Sequence, residues 1–462
     1  DNNYKGKYSS VVKMLNECIT AMGKRKFAHN FFNPTTNTES LEKEYKITSD
    51  LLQNKDIYLN IKTILYSFKD IPKLNRQIML QKISPKALYQ LYSSLLSAKT
   101  LYNSVTKIPQ LYDYLSSIIP DFGNLLVDID SITDYINSVL IIELCKDIDN
   151  IPKTDNVFIQ KNVDTELDTQ FETLLNSQDQ LESCRSFFNS VVTKYEGNKK
   201  SKKNEDIEYV KIHETEKNNF SLIATNRRCK IISEIISKDK DSSKEITYKS
   251  TFSGEDITFA MDICNNCLEY TKQTASNSSI SSNQINKLCR NLTTTKIGLN
   301  SIVIKVYATI VKNLETYNNE IEKISDFITY VDIAFCKMHI ADKYNYSQPV
   351  IDNSADKSFV EVSELRHCLI EKIQHSELYV ANDITIGNGQ IDGILLYGTN
   401  AVGKTSFIRA LGISVIMAQA GLYVPASKFV FNPYKYIFTR IIGNDNLFKG
   451  LSTFAVEMSE LR

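Results

Sequence analysis

Nine consecutive residues, Gly398-Thr399-Asn400-Ala401-Val402-Gly403-Lys404-Thr405-Ser406, match the pattern G-x-x-x-x-G-K-[ST]. The chemistry of that spacing is phosphate binding. Glycines let backbone N–H groups turn inward on phosphate oxygens, and the helix that follows adds unsatisfied donors and a favourable dipole. Lys404 would then reach the β- and γ-phosphates, and the Thr405 hydroxyl would ligate Mg²⁺. Other chemistry-bearing residues are sparse. Cys264-x-x-Cys267 has zinc-like spacing without a second pair, Cys289 standing alone beyond it, so the pair reads as helix packing before it reads as a structural zinc site. His29, His213, His339, His367 and His375 offer no i, i+4 metal pair and are assigned no catalytic role.

The expected context of a phosphate loop is a strand before it and a helix after it. Ile391 to Tyr397 is a short apolar run that predicts a buried strand, and Phe407, Ile408, Leu411, Ile413, Val415, Ile416 and Met417 predict a helix buried on all sides, ending at Gly421. Punctuation elsewhere is uneven. Nine of the 15 glycines fall between Gly387 and Gly450, whereas no proline occurs between Pro152 and Pro349. The proline-free span can sustain long helices. Val163, Leu167, Phe171, Leu174, Leu181, Cys184, Phe188 and Val191 mark one apolar stripe. A second runs through Leu299, Val303, Val306, Ile310, Leu314, Tyr317, Ile321, Ile324, Ile328, Val331, Phe335 and Met338. The pair reads as an antiparallel coiled-coil seam about 60 Å long, or as two long helices packed on a domain. Between them, Tyr209 to His213 and Phe220 to Thr225 read as a β-hairpin at the end of the stalk. Before them, Pro34, Pro72, Pro85, Pro109 and Pro120 separate moderate helical segments such as Val11 to Met22 and Leu88 to Leu95.

The 462 residues, 42% hydrophobic and 23% charged, suggest about three domains of globular usage and rule out wholesale disorder. Nine scattered cysteines argue for a reducing compartment, and no apolar run of 18 residues or signal-peptide pattern is present. Lys+Arg and Asp+Glu are equal at 54 each, which taken alone argues against nucleic-acid binding. The balance is a sum of unlike parts, however. Lys194 to Lys249 holds 14 basic and 10 acidic residues, with a run at Lys199, Lys200, Lys202 and Lys203, and Gly393 to Arg462 holds 7 basic against 3 acidic. The lysine run reads as a solvated loop or as a phosphate-contacting tip.

Phe359 to Arg462 resembles the MutS family of DNA mismatch-recognition ATPases. The resemblance is carried by Tyr379-Val380-Ala381-Asn382-Asp383, the phosphate loop, Ala418-Gln419-Ala420-Gly421-Leu422-Tyr423-Val424-Pro425-Ala426, Ile437 to Arg440, and Asp445 to Met458 with its Ser452-Thr453-Phe454-x-x-Glu457-Met458 string. Thr20-Ala21-Met22-Gly23-Lys24-Arg25 and Ala341 to Pro349 resemble the family's core-domain opening and its lever–ATPase junction. The resemblance implies a multidomain, mainly α chain. It would comprise a helical core (1–157), a descending lever helix (158–204), a β-containing clamp insert (205–292), an ascending lever helix (293–342) and a truncated P-loop α/β ATPase domain (343–462).

By position it also implies an ATP site of Tyr379, stacking on adenine, Asn382, and the loop from Gly398 to Ser406, with Asn400 near the γ-phosphate and Thr405 on Mg²⁺. Ser452 and Thr453 would reach the partner subunit's nucleotide across a homodimeric or heterodimeric interface. The implied partners are double-stranded DNA with mismatches or loops and downstream repair factors, with no membrane. The expected setting is intracellular: cytoplasm or nucleoid, nucleus, organelle or viral factory. Thr399, Ala401 and Val402 stand where the family usually has Pro, Met and Gly, Asn446 where it has a second acid, and Leu451 where it has a polar or basic residue, as in a divergent branch. Some divergent branches carry a C-terminal endonuclease domain. No Walker B strand follows the loop and no mismatch-reading domain precedes Asp1, so the polypeptide is expected to be a fragment of a clamp ATPase and inactive by itself. A coiled-coil ATPase of chromosome maintenance or double-strand-break repair, and a non-hydrolysing scaffold for branched DNA, are the alternative readings.

Overall fold

Proline at the first positions of helices sets much of the N-terminal architecture, because its fixed φ suits the first turn and its missing N–H is not needed there. Pro72, Pro85 and Pro109 each stand at the start of a helix. The computed structural model describes residues 6–151, 157–197, 208–215, 219–238, 243–263, 267–373, 379–389, 391–399 and 402–439. The chain is mainly helical with small sheets. In order come α1 (Val11–Leu15), α2 (Ala21–Phe32), α3 (Thr38–Leu52), α4 (Ile57–Leu65), α5 (Ile71–Met79), α6 (Pro85–Val105), α7 (Pro109–Ile118), α8 (Leu125–Val139), α9 (Ile142–Cys145) and α10 (Thr165–Gly197). Next are β1 (Val210–Glu214), β2 (Phe220–Thr225), α11 (Asn226–Ile236), β3 (Ser243–Lys249), β4 (Asp256–Asp262), β5 (Glu269–Lys272) and β6 (Asn277–Ser281). Then follow α12 (Asn283–Leu314), a 3₁₀ turn (Glu315–Tyr317), α13 (Asn318–Tyr344), β7 (Val350–Ile351), β8 (Val360–Leu365), α14 (Ile370–Ile373), β9 (Asn382–Ile386), α15 (Lys404–Gln419) and β10 (Lys428–Phe431).

The chain divides into two units. The first comprises the described residues within Asp1–Arg76, Leu91–Thr133 and Tyr317–Arg462. Its core is built on α13, which packs against α2, α3 and α4. Phe327 joins an aromatic cluster with Tyr102 and Phe122 at centroid distances of 6.1 and 5.6 Å. A four-stranded sheet, β7-β10-β8-β9, completes the unit: β10 runs parallel to β7 and antiparallel to β8, and β8 is antiparallel to β9. Val11 to Met22 is not one helix as the periodicity suggests. The Asp332 carboxylate accepts the N–H groups of Ile19 and Thr20, so the chain breaks between α1 and α2 and restarts at Thr20, whose hydroxyl caps α2 by accepting from Gly23 N at 3.0 Å.

The second unit comprises Gln77–Gln90 and the described residues within Asp134–Thr316. In it α10 and α12 lie side by side with opposite sense. Phe158, just before α10, packs on Tyr307 late in α12 with centroids 5.6 Å apart, while Asn189 late in α10 accepts the N–H of Tyr209 at the entry to β1. The hairpin expected near 209–225 is present, with Val210 opposite Ala224, and it is half of a larger sheet ordered β1-β2-β6-β5. A separate β3–β4 hairpin and α11 were not legible in the pattern.

The long return stripe is buried at all its positions except Tyr317, which sits half-buried in the 3₁₀ turn. That turn corrects the reading of one continuous seam helix. α12, about 48 Å long, meets α10, whereas α13 is buried or half-buried all round from Phe327 to Ala341 and carries buried Asp332 and Lys337 besides its apolar residues. On α10 the buried residue is Val192 rather than Val191. By length and apolarity alone Asn283–Tyr344 could cross a membrane, but its stripe is consumed by packing. Cys267 lies in a turn before β5 and takes part in a disulfide, so it does not pack a helix; Cys264 lies outside the described residues. Among the described residues no group of three His, Cys, Asp or Glu could hold a metal.

Candidate nucleotide-binding site

The loop is entered from β9. Gly387 ends that strand at φ 86°, and its N–H donates to Ile391 O at 2.7 Å. A Cβ there would sit 2.6 Å from Ser358 O, so the tight turn requires glycine. Residues 391–399 then run without regular structure, which corrects the expected buried strand: Leu395 is 87% and Tyr397 86% exposed. A central strand is held by neighbours on both edges, and among the described residues no strand pairs with this run.

Gly403 is the N-cap of α15 at φ 92° in the left-handed region, and no side chain caps the helix. The first turn of an α-helix leaves its N–H groups without intrahelical partners. Phe407 N to Gly403 O, 2.9 Å, is the first helical bond at this end. Nothing lies within 4 Å of the position a Cβ would take at Gly403, so the concavity is open. The Lys404 ammonium folds back on the loop, donating to Gly398 O at 2.7 Å and Thr399 O at 2.5 Å. Thr405 is exposed and Ser406 half-buried. These features fit an anionic phosphate chain: open space beside Gly403, first-turn amides without a partner among the described residues, a cation and a helix dipole converge. The Thr405 hydroxyl, exposed at the start of α15, is a group that could ligate a divalent cation beside the nucleotide's own oxygens.

The helix behind the loop is only half as buried as its composition suggests. Ile408 is 50% exposed and Arg409 is exposed, while Ala410, Ser414, Val415, Met417, Ala418 and Gln419 are buried. The first half reaches the core of the first unit through Phe407 and Ala410, and the second half enters it fully. Gly421, at φ 71°, closes the helix with Leu422 N to Met417 O at 3.0 Å and Gly421 N to Ala418 O at 2.8 Å, the paired bonds of a Schellman turn.

Tyr379, half-buried with its hydroxyl pKa raised by burial, precedes β9. Asn382 opens β9, exposed, and donates to Val380 O at 2.9 Å. Asn400, Ala401, Ser452, Thr453, Lys199, Lys200, Lys202 and Lys203 lie outside the described residues. A cavity of about 590 Å³ lies away from the loop, lined by Lys7, Glu17, Lys24, Tyr58 and His339 among others, and none of the loop residues contributes to it. Sequence reasoning missed Glu44, Tyr45 and Lys337, which hold the far end of α15. The available signal was a lysine inside an otherwise apolar stretch.

Comparison with known families matches residues 1–336 to the model of MutS domain III and residues 394–462 to that of MutS domain V. A putative DNA mismatch repair protein mutS homolog of Acanthamoeba polyphaga mimivirus is 25% identical over 99% of this chain and 42% of its own length. A mitochondrial DNA mismatch repair protein mutS homolog of Sarcophyton glaucum is 28% identical over the same shares. DNA mismatch repair protein MutS of Petrotoga mobilis is 26% identical over the whole chain and 48% of its own length. The chain thus spans somewhat less than half the length of these relatives.

Proposed function

The chain belongs to the MutS family, and on that premise we propose that it forms the core and the ATP-binding part of a DNA mismatch-repair ATPase. In this reading 1–157 is the core, 158–204 and 293–342 are levers, 205–292 is a DNA clamp and 343–462 begins a P-loop ATPase domain that dimerises. The observation that carries it is the left-handed, uncapped start of α15 at Gly403 with Lys404 beside it, inside the segment matched to MutS domain V. When bound, Mg²⁺-ATP supplies the phosphoryl group whose hydrolysis drives the cycle.

The chain's own residues bind and orient it. Lys404 exchanges the carbonyls of Gly398 and Thr399 for β- and γ-phosphate oxygens, a stronger charge-assisted interaction. Thr405 ligates the cation, Tyr379 stacks on adenine, Asn382 lines the base pocket and Asn400 lies near the γ-phosphate. Ser452 and Thr453 reach the nucleotide of a partner subunit. The lysines at 199, 200, 202 and 203 contact DNA phosphates, and closure of the levers and clamp around duplex couples lesion recognition to repair.

Fluorescent ATP-analogue titration with Mg²⁺ tests the site. The chain is expected to bind saturably, and Lys404→Ala to weaken binding at least tenfold; in the intact protein the same substitution is expected to abolish nucleotide-dependent release from DNA. Equal affinity of the two proteins, or normal cycling of the variant on DNA, would overturn the assignment.

A further inference from the structure

Helix α13 carries two buried charges of opposite sign, and each meets the end of a different helix. Asp332, 1% exposed, accepts Thr20 N at 2.8 Å and Thr20 Oγ1 at 2.7 Å at the N-terminus of α2. Lys337, 3% exposed, donates to Ala420 O at 3.0 Å just past the C-terminus of α15 and to Glu44 Oε2 at 2.9 Å. Both charges complement the helix dipole they face, negative at an N-terminus and positive at a C-terminus. Both approaches are closed to side chains: a Cβ at Gly23 would lie 2.2 Å from Asp332 Oδ2, and one at Gly421 would lie 2.8 Å from Lys337 Nζ.

The C-terminal end of α15 is pinned further. Tyr45 OH donates to Ala418 O at 2.6 Å, and Tyr114 OH donates to the other oxygen of Glu44 at 2.9 Å. Gln419 donates from Nε2 to Tyr434 O at 2.9 Å and to Thr35 O at 3.1 Å, and accepts Tyr434 N at 3.0 Å. The opposite end, some 24 Å away, opens on the phosphate loop with no side-chain cap among the described residues and open space beside Gly403. The Schellman turn satisfies the carbonyls of Met417 and Ala418, and Thr35 N donates to Gln419 O at 2.9 Å, which leaves Ala420 O as the closing carbonyl that Lys337 answers. An apolar side chain of equal volume often serves stability as well as a buried ion pair. The Lys337 ammonium therefore does something that an apolar contact would not: its hydrogen bond to Ala420 O ties the end of α15 to α13 at a single directional point, and Glu44 of α3 balances its charge.

We propose that Lys337 is a positioning residue that couples the phosphate-loop helix α15 to α13, so that ligand engagement at the free end of α15 is transmitted to α13 through the Lys337–Ala420–Glu44 contact. This rests on the nucleotide reading above.

The test uses the full 462-residue chain with Mg²⁺ and a non-hydrolysable ATP analogue, reading affinity by fluorescence displacement and amide hydrogen exchange over α15 and α13 separately. In the parent protein the analogue is expected to slow exchange in both helices. The double variant Lys337→Met with Glu44→Gln leaves no unpaired buried charge; it is expected to bind within about threefold of the parent affinity and to protect α15, but to lose the protection of α13. Full α13 protection in the double variant would overturn the coupling and leave Lys337 a structural residue. If the double variant is unfolded by circular dichroism, Lys337→Met alone, which leaves the half-buried Glu44 still held by Tyr114, gives the same reading, with α13 protection expected to fall at least twofold and unchanged protection overturning the proposal. Absence of binding and of α15 protection in the parent protein would instead overturn the nucleotide reading, and this coupling with it.

Discussion

At the scale of single residues, charge placement in this chain follows the partners that burial leaves available. Lys404 holds the loop carbonyls of Gly398 and Thr399 at the mouth of α15. Glu17 shows the same logic away from the site. It accepts from Lys343 at 2.9 Å and Tyr344 at 3.0 Å, and it pairs with Lys7 and with His339 at 3.2 Å. Burial opposes its ionisation, but the hydrogen bonds from His339, Lys7 and Lys343 outweigh that and hold the carboxyl well below the usual carboxylate range. A depressed acid stabilises the fold above its unfolded value, ordinarily near 4.5, and that contribution drains away as pH falls below it. The thermal midpoint is therefore expected to drop between roughly pH 5 and 3, and Glu17→Gln to lower it near neutrality and flatten that dependence. An unchanged slope in the variant would remove Glu17 as the source. The G-x-x-x-x-G-K-[ST] pattern is legible because its residues are adjacent; the Glu17 cluster was not, because Lys343, Tyr344 and His339 lie over 300 positions from Glu17.

At the scale of elements, two glycines that look alike in the sequence have opposite roles. Gly23 lies under Asp332, and a Cβ would meet Oδ2 at 2.2 Å, so Gly23→Ala must displace the carboxylate that starts α2. Chemical denaturation is expected to show a loss of about 1–3 kcal/mol, as for an overpacked core. Gly298 lies inside α12 with nothing within 4 Å of a Cβ, and Gly298→Ala is expected to gain about 0.5–1 kcal/mol from helix propensity. If the two substitutions behaved alike, the close approach at Gly23 would not be what its glycine serves. The period of the apolar stripe from Leu299 to Met338 named the buried face correctly but not its neighbour, since periodicity reports which side is covered and not by what. In the same way the apolar run at 391–397 has a strand's composition, yet a strand exists only through its pairing partners.

At the scale of the whole molecule, the equal totals of 54 basic and 54 acidic residues conceal an excess of positive charge in Lys194 to Lys249 and Gly393 to Arg462. The proposed clamp makes a salt-dependent prediction. Replacing Lys199, Lys200, Lys202 and Lys203 with alanine is expected to weaken duplex binding and to reduce the slope of log affinity against log salt by up to about 3.6, at ~0.9 for each phosphate no longer neutralised. An unchanged slope would take those lysines off the DNA. Competition among homoduplex, mismatched and junction probes at one stated salt concentration is expected to favour mismatched duplex in the intact protein; equal or junction-first binding would redirect the function to branched DNA. By itself the sequence determined the family and the apolar faces of the long helices, because each is carried by contiguous spacing. Only the tertiary structure decided that the return stripe changes surroundings at Glu315–Tyr317, that 391–397 stands unpaired, and that Asp332 and Lys337 are buried at the ends of α2 and α15. The physical reason is common to all three: burial and pairing depend on which distant segment supplies the other half of the contact.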